Sequence, residues 1–322
     1  MHRSDCRFRK SGRERKGERM NVLLLFPMAD GQTGPAIKYA FEQLGHKVRA
    51  VDAKLQPYDS YKVACEFKPD LIFCSRTQAL TWKVSEIKAR FKNVITCMWN
   101  TDTRPNINKY EHLFALIESC DYHFVPDTAT IPQWKRINPN TFWLPQGLQN
   151  EVYDKPKEIT DENRAKYNCD VSFAGSIKVS SHKHRGQYLN AIRQMGVELK
   201  LWGCDGIPRV YNEEHNKMVS LSKINLCCSA HPGNGQYTSV RNYKILGAGG
   251  FALELYREGI HEIFPEKVIR CYTSLEDLTE KIRYWLDHEQ ERWVVADAGY
   301  KWVHGNATYT HRIKMALDYM GI

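Results

Sequence analysis

Ser239–Phe251 reads SVRNYKILGAGGF, between the turn-rich run HPGNGQY and the short apolar run FALEL. The order is loop, helix, Gly-rich turn, strand. Arg241 and Lys244 are three residues apart, so on a helix they share one face. The first N–H groups of a helix are unpaired and its dipole is positive there, so its N-terminus favours anions. Two cations added at that end suit a diphosphate. Gly247, Gly249 and Gly250 allow a tight turn and close backbone approach. A solvated helix face is the alternative reading of the same residues.

Working outward, CDVSFAGS (169–176) opens a strand–helix series that continues through VELKLWG, a helix at 211–222, INLCCSA, the opening helix, FALEL and KVIRCY. From Ser274 the pattern is helical, with Leu275, Leu278 and Ile282 on one period and a break at HGNATYTHR. The loop with His182, Lys183, His184 and Arg185 gathers cationic donors. His-x-His can ligate metal, but no third ligand of suitable spacing follows, and phosphate or sugar contact is the competing reading. The chain contains no Asp-x-Asp pair. Sugar-nucleotide enzymes that use a metal commonly hold it with such a pair. Without one, Arg, Lys and helix dipoles must neutralise a leaving diphosphate.

The first half alternates as well. Val22–Pro27 is a continuous apolar run, as in a buried parallel strand. A helix over 35–44, bounded by Pro35 and Gly45, leads to the strand KVRAVDA. DLIFCSR, NVITCMW, DYHFVP and TFWLP continue the strands, with helices at 82–91, 108–119 and 129–136 between them. GxGxxG is absent. Such alternation predicts an α/β chain with open parallel sheets, whose ligands sit beyond the carboxyl ends of the strands. Asp30, Gly31, Arg76, Asp102, Arg104 and Gln146 fall there. Asp102, in WNTDTRP, is either a general base for an attacking hydroxyl or a turn cap, and Asp30 carries the same two readings.

At 322 residues there is room for two domains. The pattern divides into a disordered basic tail at 1–20, an N-terminal strand–helix domain at 21–150, a polar linker at 151–165, a C-terminal strand–helix domain at 166–305, and a final helix at 306–322 that packs back on the first domain. The net charge of +9 is uneven: residues 1–20 hold eight Lys/Arg against three Asp/Glu, residues 21–150 fifteen against twelve, and the remainder nets +1. The attraction for polyanions therefore lies in the tail and first half. Ten scattered cysteines with no CxxC read as reduced core thiols of a cytoplasmic protein. No apolar run approaches a membrane span. The tail followed by NVLLLFPMA mimics a signal peptide, but it is acidic in part and lacks a small-residue cleavage site. Met20 reads as the natural start.

The second half resembles the CgeB-like, glycosyltransferase group 1-like family, over about residues 168–315. The segments that carry the resemblance come in family order: VSFAGSIKVSSHKHR, ELKLWG, LSKINLCCS, SVRNYKILGAGGFAL, IHEIF, SLEDLTEKIRYWLDHEQER and ATYTHR. NVLLLFP, WNTD and LPQGLQNEVYDKP resemble the family's first-half segments less sharply. The resemblance implies two Rossmann-like domains facing across a cleft, the GT-B glycosyltransferase fold, with the acceptor presented by the N-terminal domain at 21–150 and the nucleotide-sugar donor held by the C-terminal domain at 166–305. It implies a nucleotide-sugar-dependent hexosyl- or pentosyltransferase that uses a hydroxyl acceptor and has no metal or other cofactor. On the donor side it implies Arg241, Lys244 and Arg185, with Gly175, Ser176 and His184, and Trp202 and Gly203 flanking the base. Many relatives carry Glu where this chain has Lys244. Lys cannot accept hydrogen bonds from sugar hydroxyls, so Glu254 is a candidate substitute. Asp102 or Asp30 would serve as base in an inverting reaction. Gly31, Arg76, Arg104 and Gln146 lie on the acceptor side. One alternative is a DNA-modifying glycosyltransferase acting on hydroxylated bases of a viral genome. Another is an inert sugar-nucleotide or polyanion binding module.

Overall fold

The computed structural model describes residues 17–103, 106–177, 185–228 and 235–322. The readings for the tail through residue 16, and for Arg104, His182, Lys183 and His184, fall outside the described residues. The first half runs β1 (Asn21–Phe26), α1 (Thr33–Gln43), β2 (Lys47–Asp52), α2 (Ser60–Phe67), β3 (Leu71–Cys74), α3 (Leu80–Arg90), β4 (Ile95–Trp99), α4 (Phe114–Ser119), β5 (Tyr122–Val125), α5 (Ile131–Trp134) and β6 (Thr141–Trp143). The second runs α6 (Asp161–Tyr167), β7 (Cys169–Ala174), α7 (Arg185–Gln194), β8 (Leu199–Trp202), α8 (Asn212–Leu221), β9 (Ser222–Cys227), α9 (Val240–Gly247), β10 (Ala252–Leu255), α10 (Ile260–Ile263) and β11 (Arg270–Tyr272). Three helices close the chain: α11 (Leu275–Asp287), α12 (Glu289–Asn306) and α13 (Tyr309–Met320).

The first sheet has the order β2-β1-β3-β4-β5-β6 and the second β11-β10-β9-β7-β8, with every pair of neighbours parallel. Parallel strands are covered by helices on both faces and therefore read as unbroken apolar runs. In β1, Val22, Leu24 and Phe26 enter one core layer, while Leu23 and Leu25 enter the other. The adjacent Cys227 and Cys228 divide in the same way between the two layers of the second sheet. The order of the first sheet reverses between β1 and β3, and that of the second between β7 and β9. Ligands of open parallel sheets bind in the crevices at such reversals.

Several elements differ from the sequence pattern. The helix expected at 108–119 is a 3₁₀ stretch at Ile107–Leu113 followed by the short α4. Tyr110 has non-helical backbone angles there, which breaks the regular turn. KVIRCY is a strand only over Arg270–Tyr272, because Glu266–Val268 turns as a 3₁₀ helix after Pro265. The polar stretch from Glu151 becomes helical at Asp161, where Thr160 and Asn163 form a capping box. HGNATYTHR interrupts the helices only at Ala307 and Thr308. Thr308 caps α13 and forms a second box with His311.

Two strands of chain join the halves side by side. Leu148 N–H donates to the Ala307 carbonyl at 2.8 Å, and Tyr309 N–H donates to the Leu148 carbonyl at 2.9 Å. Past this crossing, α13 lies on α1: Ile313, Ala316, Leu317 and Met320 share a core cluster with Ile37, Ala40 and Phe41.

Candidate functional site

The carboxyl ends of β7 and β9, at the reversal of the second sheet, hold two guanidinium groups around one ring. Phe173 ends the inward row of β7. The Arg241 guanidinium lies 5.0 Å from its centroid and that of Arg185 lies 5.6 Å away. Arg185 begins α7 and is 5% exposed. It spans the reversal, donating from Nε to the Cys228 carbonyl at 2.8 Å and from Nη1 to the Ser176 carbonyl at 2.7 Å. Burial, then the neighbouring charge of Arg241, pushes the Arg185 guanidinium below its ordinary pKa. Like charges this close favour an anion between or beside them.

Arg241 is carried by α9, whose N-cap Ser239 accepts from the Arg241 N–H at 3.3 Å. Its Nε donates to the Ala174 carbonyl at 2.8 Å. Its Nη1 is enclosed and has no hydrogen-bond partner among the described residues. An enclosed charged donor without a partner is rare in folded proteins and marks a place for a ligand. Gly175 is needed here for space: a Cβ would lie 2.5 Å from Arg241 Nη2.

Lys244 lies one turn further on the same face. Its Nζ sits 4.4 Å from the centroid of the Tyr153 ring. Burial, then the Arg241 charge, pushes its ammonium down to about 8. His215, on α8, stands edge-on to Tyr153 at 5.3 Å and is neutral near pH 7, because burial and the charges of Lys244 and Arg241 lower its pKa to about 3.

Glu254 lies behind α9, at 0% exposure. It accepts from Asn242 Nδ2 at 2.6 Å and pairs with Arg257 at 3.6 Å. Through Oε2 its carboxylate braces the start of α9, while its enclosed Oε1 takes no hydrogen bond among the described residues. Trp202 is laid against Tyr167 at 5.2 Å with its Nε1 enclosed. Gly203, at φ +79°, sits under the Arg209 side chain: a Cβ there would meet Arg209 Cγ at 2.7 Å. Arg209 in turn reaches Tyr211 Oη at 3.5 Å.

Across the cleft, Asp102 follows β4 and Arg76 follows β3. Arg76 Nη2 donates to Asp102 Oδ2 at 2.5 Å, with Asp102 about half exposed. Asp30 and Gly31, in the loop after β1, are exposed, and a Cβ on Gly31 would lie 3.2 Å from the Tyr211 ring of the second half. Gln146 is occupied by the crossing of the two halves. Its Oε1 accepts from Tyr309 Oη at 2.7 Å, its carbonyl accepts from Arg312 Nε at 2.9 Å, and its Nε2 donates to the Thr101 carbonyl.

The structure thus brings together Arg185, Arg241, Gly175 and Ser176, with Lys244 beside them, and sets the Arg76–Asp102 pair and the Asp30 loop opposite. Phe173, Tyr237, Arg209 and Tyr211 complete this surroundings, yet the sequence singles out none of them. Phe173 had a signal, as the last large apolar residue of a strand that ends in Gly-Ser. Tyr211 and Tyr237 acquire their place only when the halves meet, whereas Arg209 is held within the second half, over Gly203 and beside Tyr211. Among the described residues no three His, Cys, Asp or Glu side chains gather to hold a metal ion.

Residues 180–318 match the family model described as glycosyl transferase-like. No curated protein matches the chain. Among solved structures, Anabaena HepE in complex with UDP and glucose is 11% identical, covers 94% of this chain and 100% of its own, and has a TM-score of 0.64. A glycosyltransferase from Rickettsia africae ESF-5 is 11% identical, covering 94% of this chain and 98% of its own at a TM-score of 0.64. Sucrose-phosphate synthase from Thermosynechococcus elongatus has the same identity, coverage and score. The fold is therefore that of two Rossmann-like domains facing across a cleft, the GT-B arrangement.

Proposed function

We propose that the chain is a nucleotide-sugar-dependent glycosyltransferase, moving a hexosyl or pentosyl group to a hydroxyl acceptor and neutralising the departing diphosphate with side-chain cations in place of a metal. The observation that carries this reading is the pair Arg185 and Arg241 on Phe173, at the strand-order reversal, with Arg241 Nη1 taking no hydrogen bond among the described residues. As the bond between sugar and phosphate breaks, negative charge grows on the diphosphate. Fixed donors aimed at that charge lower the barrier because they need no reorganisation. Support comes also from the match of residues 180–318 to glycosyl transferase-like sequences, from the CgeB-like order of segments over 168–315, and from HepE, a protein of the same fold solved with UDP and with UDP-glucose.

On the opposite side, Asp102 is the base we assign to an inverting reaction. Its bond to Arg76 orients the carboxylate, which stays about half exposed. Asp30 remains the second candidate. The nine described cysteines are all free thiols, which suits a reducing, cytoplasmic setting. No helix of the described residues is long and apolar enough to cross a membrane.

The test is turnover of a panel of UDP-, GDP-, ADP- and TDP-sugars by the protein and by Arg241→Ala. Loss of one such donor costs about 2–4 kcal/mol of transition-state stabilisation, or roughly 10²- to 10³-fold in kcat. A variant that turns over its donor at the unmodified rate overturns the assignment of Arg241 to the leaving group.

A further inference from the structure

Tyr237 lies two residues before the N-cap of α9 and is 9% exposed. Its ring is fixed from behind by a buried polar network. The Arg257 guanidinium lies 5.5 Å from the ring centroid and donates to Thr238 Oγ1 at 3.2 Å. Asn242 Nδ2 donates to the same hydroxyl at 2.6 Å and to Glu254 at 2.6 Å. The loop is fixed from the front by the first domain. Gln236 N–H donates to Thr128 Oγ1 at 2.8 Å, and Trp143 Nε1 donates to the Gln236 carbonyl at 3.1 Å. Asp102 and Asp127 of the first domain and Arg241 and Arg257 of the second are all near enough to act on the phenol electrostatically. Burial, then Asp102, pushes it up to about 12, so it stays an O–H donor at neutral pH. The hydroxyl itself takes no hydrogen bond among the described residues and is not one of the enclosed polar atoms.

A phenol buried in its ring, whose hydroxyl takes no hydrogen bond among the described residues, thus stands on the loop where the second domain touches the first, two residues before the N-cap of α9. We propose that the Tyr237 hydroxyl is a catalytic residue that donates a hydrogen bond to the phosphate oxygen leaving the sugar, between Asp102 and Arg241. The inference rests on the glycosyltransferase reading above. No proton is transferred: the phenol keeps it, and the bond strengthens as the oxygen gains charge. Such an interaction is made mainly in the transition state, so its loss lowers kcat more than it raises KM. Glu254, Asn242 and Arg257 are positioning residues for it.

The test is Tyr237→Phe, which keeps the ring on Arg257 and removes one oxygen. The donor is whichever nucleoside diphosphate sugar the unmodified protein turns over, and the measurements are kcat, donor KM and the thermal midpoint. The expected result is a fall in kcat of about 10- to 100-fold, donor KM within about threefold, and an unchanged midpoint. Unchanged kcat, or a loss confined to KM, overturns the role of Tyr237 and leaves the glycosyltransferase reading standing. A lowered midpoint with unchanged kcat makes the residue structural and also overturns it. If the unmodified protein neither binds UDP, GDP, ADP or TDP in calorimetry nor turns over their sugars, the parent reading fails and this inference with it.

Discussion

Lys244 carries a charge that is lost not far above neutral pH, because burial and Arg241 push its ammonium down to about 8 from its usual 10.5. Two consequences have opposite signs. Between about 8 and the ordinary lysine value the unfolded chain binds more protons than the folded one, so this group adds stability as pH rises. An anion at the site prefers the protonated form, so affinity falls as pH rises through the same window. His215 does not blur the effect, since its pKa of about 3 keeps it neutral throughout. Tyr153, the ring under Lys244, is pushed up to about 12 and stays neutral as well. We therefore expect UDP affinity, measured by calorimetry, to decline between pH 7 and 9, with proton uptake on binding near pH 8. Lys244→Met should bind more weakly at pH 7 and lose that pH dependence. A variant that keeps the full dependence would show that Lys244 does not meet the diphosphate.

α13 belongs by sequence to the end of the chain and by packing to its beginning. Ile313, Ala316, Leu317 and Met320 form one apolar stripe, and the stripe fills the face of α1 that Ile37, Ala40 and Phe41 present. Ile313 is 0% exposed, so Ile313→Ala should cost about 2–5 kcal/mol, the range for deleting a buried aliphatic side chain. Urea unfolding followed by fluorescence of Trp99, which lies in this core layer, measures it; a cost under 1 kcal/mol would mean that the layer closes without α13. This element also marks the limit of what the sequence reveals. The strands were legible because buried parallel strands are continuous apolar runs bounded by turn residues. α9 was legible because Ser239 precedes it and a Gly-rich turn closes it. The stripe on α13 announces a buried face, and the chain order already suggests a return to the first domain; that it meets α1, more than 270 residues away, cannot be read from periodicity. The failure at Ile107–Leu113 is of another kind. Its apolar spacing suits a helix, and the backbone at Tyr110 departs from one all the same.

At the scale of the whole molecule the carboxylate side and the guanidinium side come together only while the two domains touch. Arg241 could be found in the sequence because its anion site is built within one domain, from β7, β9 and α9. The surroundings of Tyr237 could not, since Asp102, Asp127, Thr128 and Trp143 come from the other domain. The same holds for Gln146 and Glu254: the sequence places both among the ligand contacts, whereas the fold commits one to the crossing of the chains and the other to bracing α9. One close point of domain contact is Gly235. A Cβ there would lie 2.6 Å from the Ala129 nitrogen and 2.7 Å from Asp127 Oδ1. Asp127 is 1% exposed and already accepts from Ala129 N–H at 3.0 Å and from Thr103 Oγ1 at 2.5 Å, so it has little freedom to yield. One added methyl therefore has to push the 235–239 loop, and with it the start of α9, away from the first domain. Each sheet keeps its own core, so Gly235→Ala should hold a thermal midpoint close to that of the unmodified protein. Turnover depends on geometry held to about an ångström, and kcat/KM should fall roughly 10²-fold. Gly305→Ala is the matched control, because a Cβ at Gly305 meets nothing within 4 Å. If both variants turn over donor at the unmodified rate, contact at Gly235 is not what brings Tyr237 and Asp102 to the leaving group. If Gly235→Ala alone is impaired, and Tyr237→Phe combined with it adds no further loss, the two substitutions act through the same hydrogen bond.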